Sequence, residues 1–225
     1  MFDMSDFQWQ LHSNTCIHTQ CSCAVGVLTL PAERHLSLDP RPFKLALVGS
    51  HGVGKTTLCF GLAARLKARN LSLEVVHEVA RRCPLPINEE TSLEAQAWIL
   101  HTQIAEELYA QSRYPTVLCD RGVIDNYAYL KHAHGEQPLL DHLVGGWMSS
   151  YDVVVLVPIT ELPGADGMRA VDPAFQRAIE LGVRAELARR QIEFHDLSTC
   201  ARQNWLDEVE QLVVERLTPP QLDLL

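Results

Sequence analysis

The sequence predicts an α/β fold built on a doubly wound, parallel, five-stranded sheet. Three observations predict it. Short apolar runs alternate with helical periodicity from residue 43 to residue 217. The first run ends in a glycine-rich loop that opens a helix. The second and third runs end at polar residues, beside Glu78 and at Asp120. Strands alternating with helices form a parallel sheet with right-handed crossovers, because a right-twisted strand feeding a right-handed helix packs back only that way. The expected strand order is 2-3-1-4-5.

Each element has its own signal. Phe43-Lys44-Leu45-Ala46-Leu47-Val48 is a short apolar run ending at Gly49, as expected of a strand buried on both faces. Residues 55–69 place Leu58, Leu62 and Leu66 on one helical face. Residues 71–76 alternate at period two and read as the second strand. Thr91-Ser92-Leu93-Glu94 has the form of a capping box. Behind it Leu93, Ala97, Leu100, Ile104 and Leu108 define the expected buried face. Residues 115–119 form the third strand, ending at Asp120, and 151–157 the fourth. Phe175, Ile179, Val183 and Leu187 mark a helix, with Asp172 as its N-cap and Pro173 in its first turn. Residues 192–197 read as the fifth strand and 203–217 as the closing helix.

Residues 1–42 differ. They have no sustained period, and Asp39-Pro40-Arg41-Pro42 punctuates their end. They read as a poorly ordered arm ahead of one domain over 43–225. Cys16, Cys21 and Cys23 with His12 or His18 invite a zinc reading, but C-x4-C-x-C matches no familiar zinc spacing. Free thiols are the simpler expectation.

Composition removes whole classes. The 225 residues carry Asp+Glu 28 against Lys+Arg 19, net −9, which disfavours a broad nucleic-acid surface. No run approaches the roughly 20 apolar residues of a membrane span, and no basic-then-apolar leader opens the chain. Seven scattered cysteines suit a reducing cytoplasm better than a disulfide framework.

The chemistry starts at Gly49-Ser50-His51-Gly52-Val53-Gly54-Lys55-Thr56, which matches G-x-x-x-x-G-K-[ST] and is followed by Thr57. Glycines let the backbone curl so that its N–H groups face phosphate oxygens. The helix N-terminus adds the positive end of a dipole. Lys55 then reaches the outer phosphates of ATP and the Thr56 hydroxyl ligates Mg²⁺. Asp120, at a strand end, is the expected second Mg²⁺ ligand; its plainer reading is a turn residue before Gly122. Arg121 beside it reads as a phosphate ligand or as half of an ion pair.

Two absences and a length narrow the class. There is no N-K-x-D for guanine and no L-S-G-G-Q signature. About 170 residues follow the loop, short for a module with a helical lid domain. A compact kinase of nucleosides or nucleotides remains. In that reading Glu78 is a candidate base and Arg81 a substrate or phosphate ligand, unless the two form a solvated pair. Asp125 reads as the N-cap of the next helix or as a substrate contact. Tyr127 and Tyr129 face an acceptor ring or pack in the core. Asp166 and Arg169 lie in a polar loop after the fourth strand, where Arg169 would stabilise a phosphoryl group in transfer.

The set G-S-H-G-V-G-K-T, H-E-V-A-R, C-D-R-G-x-x-D and D-G-x-R-x-x-D-P-x-F resembles the AAA-domain family of predicted ATPases and kinases linked to NAD metabolism. That family is similar to the ribosylnicotinamide kinase domain of the bacterial NAD regulator. The resemblance covers about residues 43–215. It implies a P-loop kinase-like fold, MgATP and, in some members, phosphorylation of a ribosyl hydroxyl. It carries roles onto Lys55, Thr56, Glu78, Arg81, Asp120, Arg121, Asp166 and Arg169. The regulator's adenylyltransferase and DNA-binding segments have no counterpart in residues 1–40. The expected activity is transfer of the ATP γ-phosphate to a nucleoside or riboside hydroxyl. The alternative is a slow ATPase switch acting through a protein partner.

Overall fold

The computed structural model describes residues 41–87, 91–160 and 172–217. In order these form β1 (Phe43–Val48), α1 (Lys55–Ala68), β2 (Leu73–Val76), a 3-10 turn (Val79–Arg82), α2 (Leu93–Gln111), β3 (Thr116–Cys119), α3 (Val123–His134), α4 (Pro138–Met148), β4 (Val153–Leu156), α5 (Pro173–Arg189), β5 (His195–Asp196) and α6 (Trp205–Leu217). The sheet is parallel with order β2-β3-β1-β4-β5. This is the predicted fold and strand order.

β1 lies at the centre and is buried along its whole length. Its alternation divides the core. Leu45 and Leu47 face α1 and α6, meeting Leu62, Leu66 and Val209. Ala46 and Val48 face the other layer, with Leu100, Ile124, Ile179 and Val183 from α2, α3 and α5. Period two in the strand thus meets period 3.6 in the helices.

The boundaries moved where chain ends override pattern. Leu71 belongs to the close of α1, its N–H donating to Leu66 O at 3.1 Å after Asn70 turns at φ 61°. β5 shrinks to two residues because only Val155 and Leu156 pair with it. Ser92, not Thr91, caps α2, accepting from Ala95 N at 3.2 Å. Asp172 caps α5 as expected, accepting from Ala174 N and Phe175 N. The sequence reading did not anticipate α4, which starts with Pro138 in its first turn.

The buried face of α2 is also rotated from the one expected. Gln96, Gln103 and Glu107 are buried, while Leu108 is 54% exposed. Of the predicted arm, residues 1–40 and the three-cysteine cluster lie outside the described residues. Arg41 is held by Asp152 and by Ser150 O. Among the described residues no helix is long and apolar enough to cross a membrane.

Candidate active site

A parallel sheet presents its ligand crevice at the carboxyl ends of the strands, where strand order reverses. Here β2, β3 and β1 are neighbours. Glu78, the pair Asp120-Arg121 and the glycine-rich loop therefore converge, although 71 residues of sequence separate Gly49 from Asp120.

The loop is built as its glycines allow. Gly49 has φ 139°, and a Cβ there would lie 2.5 Å from Val157 O. Gly54 caps α1 at φ 95°. Both positions suit a residue without a side chain. Lys55 donates to Gly49 O at 2.8 Å and to Ser50 O. Burial, then the charge of Arg121, lowers its pKa to about 7 against the opposing pull of Asp125, Glu78 and Asp120.

Asp120 is buried, and its main-chain N–H donates to Val76 O at 2.9 Å. Burial raises its pKa; the Thr56 hydroxyl, bonded to the carboxylate, and Lys55 oppose the rise. A hydroxyl and a carboxylate meeting beside a phosphate loop make a hard-oxygen pair, which suits Mg²⁺. That ion usually keeps water and phosphate as its remaining ligands.

The loop divides in two. Gly52, Val53, Gly54, Lys55, Thr56 and Thr57 line a polar cavity together with Asp120. Gly49, Ser50 and His51 brace it from behind. The Gly49 N–H donates to Asp125 Oδ1 at 2.7 Å. The His51 N–H donates to Tyr129 Oη at 3.1 Å, and His51 O accepts from Gln176 Nε2 at 2.8 Å. The Gly49 and His51 main-chain N–H groups are thus engaged within the protein, where the sequence suggested that they face phosphate.

Glu78 and Arg121 form the wall of that cavity. Arg121 Nε and Nη2 lie 2.9 and 2.8 Å from Glu78 Oε1, and Arg81 Nε lies 2.8 Å from Oε2. The Glu78 side chain is 10% exposed. Burial acts to raise its pKa, but Arg121 and Arg81 override this and hold it at about 2. Burial acts to lower the Arg121 pKa, and Glu78 more than reverses it.

Behind the wall is a second, narrower cavity that opens to solvent. Glu78 and Arg121 line it too. Its apolar side is Ile87 and Ile99; its polar side is Gln96, Asn126 and Tyr129. Asn126 is 4% exposed, and its Nδ2 has no hydrogen-bond partner among the described residues.

Two candidate substrate contacts are engaged elsewhere. Tyr127 is fully buried, with Arg190 5.3 Å from its ring and the Asp141 carboxylate near its hydroxyl. Burial and that neighbour push its pKa up to about 12. Asp125 is not the N-cap of α3; Gly122 is. The Asp125 carboxylate accepts from Gly49 N and, at 3.2 Å, from Gly122 N, tying the loop to α3. Asp166 and Arg169 lie outside the described residues.

Sequence reasoning missed Gln96, Asn126 and Arg202. Arg202, from the turn before α6, lines the phosphate cavity. The stripe Gln96, Gln103, Glu107 among the apolar residues of the buried face of α2 was a usable signal for polar work there.

None of the curated proteins matches the chain. Among solved structures, thymidylate kinase from Ehrlichia chaffeensis superposes with a TM-score of 0.56 at 18% identity, over 80% of this chain and 100% of that one. Deoxyadenosine kinase from M. mycoides, solved with dCMP and a flexible dCDP, superposes with a TM-score of 0.55 at 12% identity, over 77% of this chain and 100% of that one. At such identities the likeness concerns the fold, a P-loop fold of the nucleotide-kinase type. Residues 44–204, more than half of the chain, match the AAA domain family, and the chain belongs to it.

Proposed function

We propose that this chain is an ATP-dependent kinase that transfers the γ-phosphate to a hydroxyl of a nucleoside or riboside. The observation that carries this reading is the shared wall: one Glu78–Arg121 pair lines both the phosphate cavity and the second, partly apolar cavity. A donor on one side and an acceptor on the other would meet across it. The resemblance to ribosylnicotinamide kinase makes nicotinamide riboside one acceptor to test.

The nucleotide's phosphates would lie along Gly52 to Thr57 with Lys55 on the outer phosphates. Bound Mg²⁺, held by Thr56 and Asp120, would supply charge neutralisation at the transferred group. Arg121 would face that group, and the role of Arg169 in stabilising it is carried by the family resemblance alone. In this transfer the acceptor O–P bond forms, the bond from the γ-phosphorus to the ADP oxygen breaks, and the hydroxyl proton passes to solvent water. With a pKa of about 2, Glu78 is a weak base. Its role is narrowed to accepting the hydroxyl's hydrogen bond and fixing both arginines. Phosphoryl transfer rests mainly on such positioning and electrostatics.

The direct test is a screen of nucleosides and ribosides, nicotinamide riboside included, for ATP-dependent phosphorylation. ADP release without any acceptor and without product would favour the ATPase switch. Two further outcomes are expected. A triphosphate beside Lys55 restores its charge, so nucleotide binding at pH 8 takes up to about one proton. Calorimetry in buffers of different ionisation enthalpy measures this. The uptake vanishes in Lys55→Arg, which stays charged throughout. Asn126→Leu removes a buried, unpaired donor and leaves stability unchanged or higher. The same change raises KM for the acceptor about 10-fold, the loss of one good hydrogen bond, with KM for ATP unmoved.

A further inference from the structure

Beneath the site lies a polar cluster that the proposed reaction does not use. Glu107 of α2 and Lys44 of β1 are both fully buried and pair at 2.7 Å. The Glu107 carboxylate also accepts from Trp147 Nε1, Tyr151 Oη and Gln103 Nε2, at 2.7, 2.7 and 2.8 Å. Lys44 Nζ stands 4.4 and 4.5 Å from the Trp147 and Tyr151 rings. A buried ion pair alone gains little net stability, yet this one orients two groups that reach the site.

Those groups are Gln103 and Tyr151. The second N–H of Gln103 Nε2 donates to Arg121 O at 3.1 Å. The Tyr151 hydroxyl accepts from Val123 N at 3.1 Å. Both peptide units flanking Gly122 are thus held from below, each by a group whose other bond goes to Glu107. Flipping the Gln103 amide would set its oxygen against the Glu107 carboxylate, so its orientation is fixed. That orientation leaves Gln103 Oε1 without a donor among the described residues, a cost accepted while the N–H₂ is fully engaged.

What the cluster holds is a strained turn. Arg121 has φ 149°, a region that non-glycine residues rarely adopt. Such strain persists only where the surroundings over-determine it. Gly122 adds to the constraint: a Cβ there would meet Val48 Cγ1 at 3.1 Å and Ala46 Cβ at 3.3 Å. The product of the strain is the direction of the Arg121 guanidinium, laid on Glu78 in the wall between the two cavities.

We infer that the Glu107 cluster is a clamp on the Arg121 turn, and that Gln103 and Tyr151 are positioning residues acting through Arg121. Their effect on catalysis rests on the kinase reading; their hold on Arg121 does not. Two measurements on the full chain separate these. The first is hydrogen exchange at the Arg121 Nε–H by ¹⁵N NMR, assigned with Arg121→Lys. Gln103→Leu is expected to speed this exchange by 10-fold or more. The second is acceptor phosphorylation, where Gln103→Leu should lower kcat roughly 100-fold, the usual cost of a misplaced group, with KM for ATP within 2-fold. In an Arg121→Ala background the same substitution should change kcat less than 2-fold.

Tyr151→Phe keeps the ring and loses both hydroxyl bonds, and serves with the same readouts if Gln103→Leu does not fold. Unchanged exchange in a folded variant overturns the clamp. So does a full 100-fold loss persisting without Arg121. If no acceptor is phosphorylated, the kinase reading fails while accelerated exchange still upholds the clamp.

Discussion

Replacing Lys55 with alanine is expected to abolish nucleotide binding, with at least a 100-fold loss of affinity for MgATP. Lys55 is the one lysine in the phosphate cavity, and only 5% of it is exposed. Its neighbours Asp120, Asp125 and Glu78 are acidic. Without the ammonium group a triphosphate would meet those carboxylates with one fewer cation in a poorly solvated pocket. A 100-fold loss corresponds to about 2.7 kcal/mol. Ligand that binds only the native state stabilises it by RT ln(1 + [L]/Kd), so thermal unfolding reads the change directly. The wild-type Tm should rise with MgATP and the Lys55→Ala Tm should not. An equal rise in both proteins would end the phosphate-loop reading and, with it, both the kinase and the switch.

Glu78→Gln is expected to remove phosphoryl transfer, by about 10² to 10³ in kcat, while MgATP affinity stays within a few-fold. The amide keeps the shape but not the charge that holds Arg121 and Arg81. Breaking a buried pair leaves the surviving charge uncompensated, which costs about 3–5 kcal/mol. The pH dependence has a definite sign. The folded-state pKa of Glu78 is depressed from 4.5 to about 2. Its contribution, about 3 kcal/mol by linkage, is fully present above pH 4.5 and is lost as pH falls toward 2. Urea unfolding at pH 7 and pH 3 should therefore show wild type and variant converging in acid. Undiminished transfer by the variant would remove Glu78 from the mechanism. An equal stability gap at both pH values would show that its charge does not act through the arginines.

Net −9 is compatible with binding a polyanion because the cations are focused. Lys55, Arg121 and Arg202 line one cavity. Arg81, the partner of Glu78, lines the second. Many other acidic residues sit in helix-to-helix ion pairs away from the site, such as Asp207 with Arg65 and Asp141 with Arg189.

The residues at strand ends were legible in the sequence. Lys55, Glu78, Asp120 and Arg121 each follow an apolar run, and a parallel sheet brings all such ends to one edge whatever the helices do. Residues borne on helices were not legible in the same way. Gln96 and Asn126 face the second cavity and Tyr127 does not, although Asn126 and Tyr127 are adjacent. α3 packs against α2, α4 and α5 and is buried almost all round. Periodicity cannot say which of its sides meets a cavity. The expected buried face of α2 failed for a related reason: Gln103 and Glu107 are inside because hydrogen-bond partners on β1, α4 and the Arg121 turn await them there.

By itself the sequence determined the strands, the helices between them and the phosphate loop, because these follow from local period and from the φ angles that glycine permits. Tertiary structure alone decided that Asp125 ties the loop to α3, that Glu78 serves two arginines at once, and that a buried carboxylate on α2 clamps the turn bearing Arg121. Those outcomes depend on distances between residues far apart in the chain. Desolvation fixes their energetics, and burial exists only once the layers have packed.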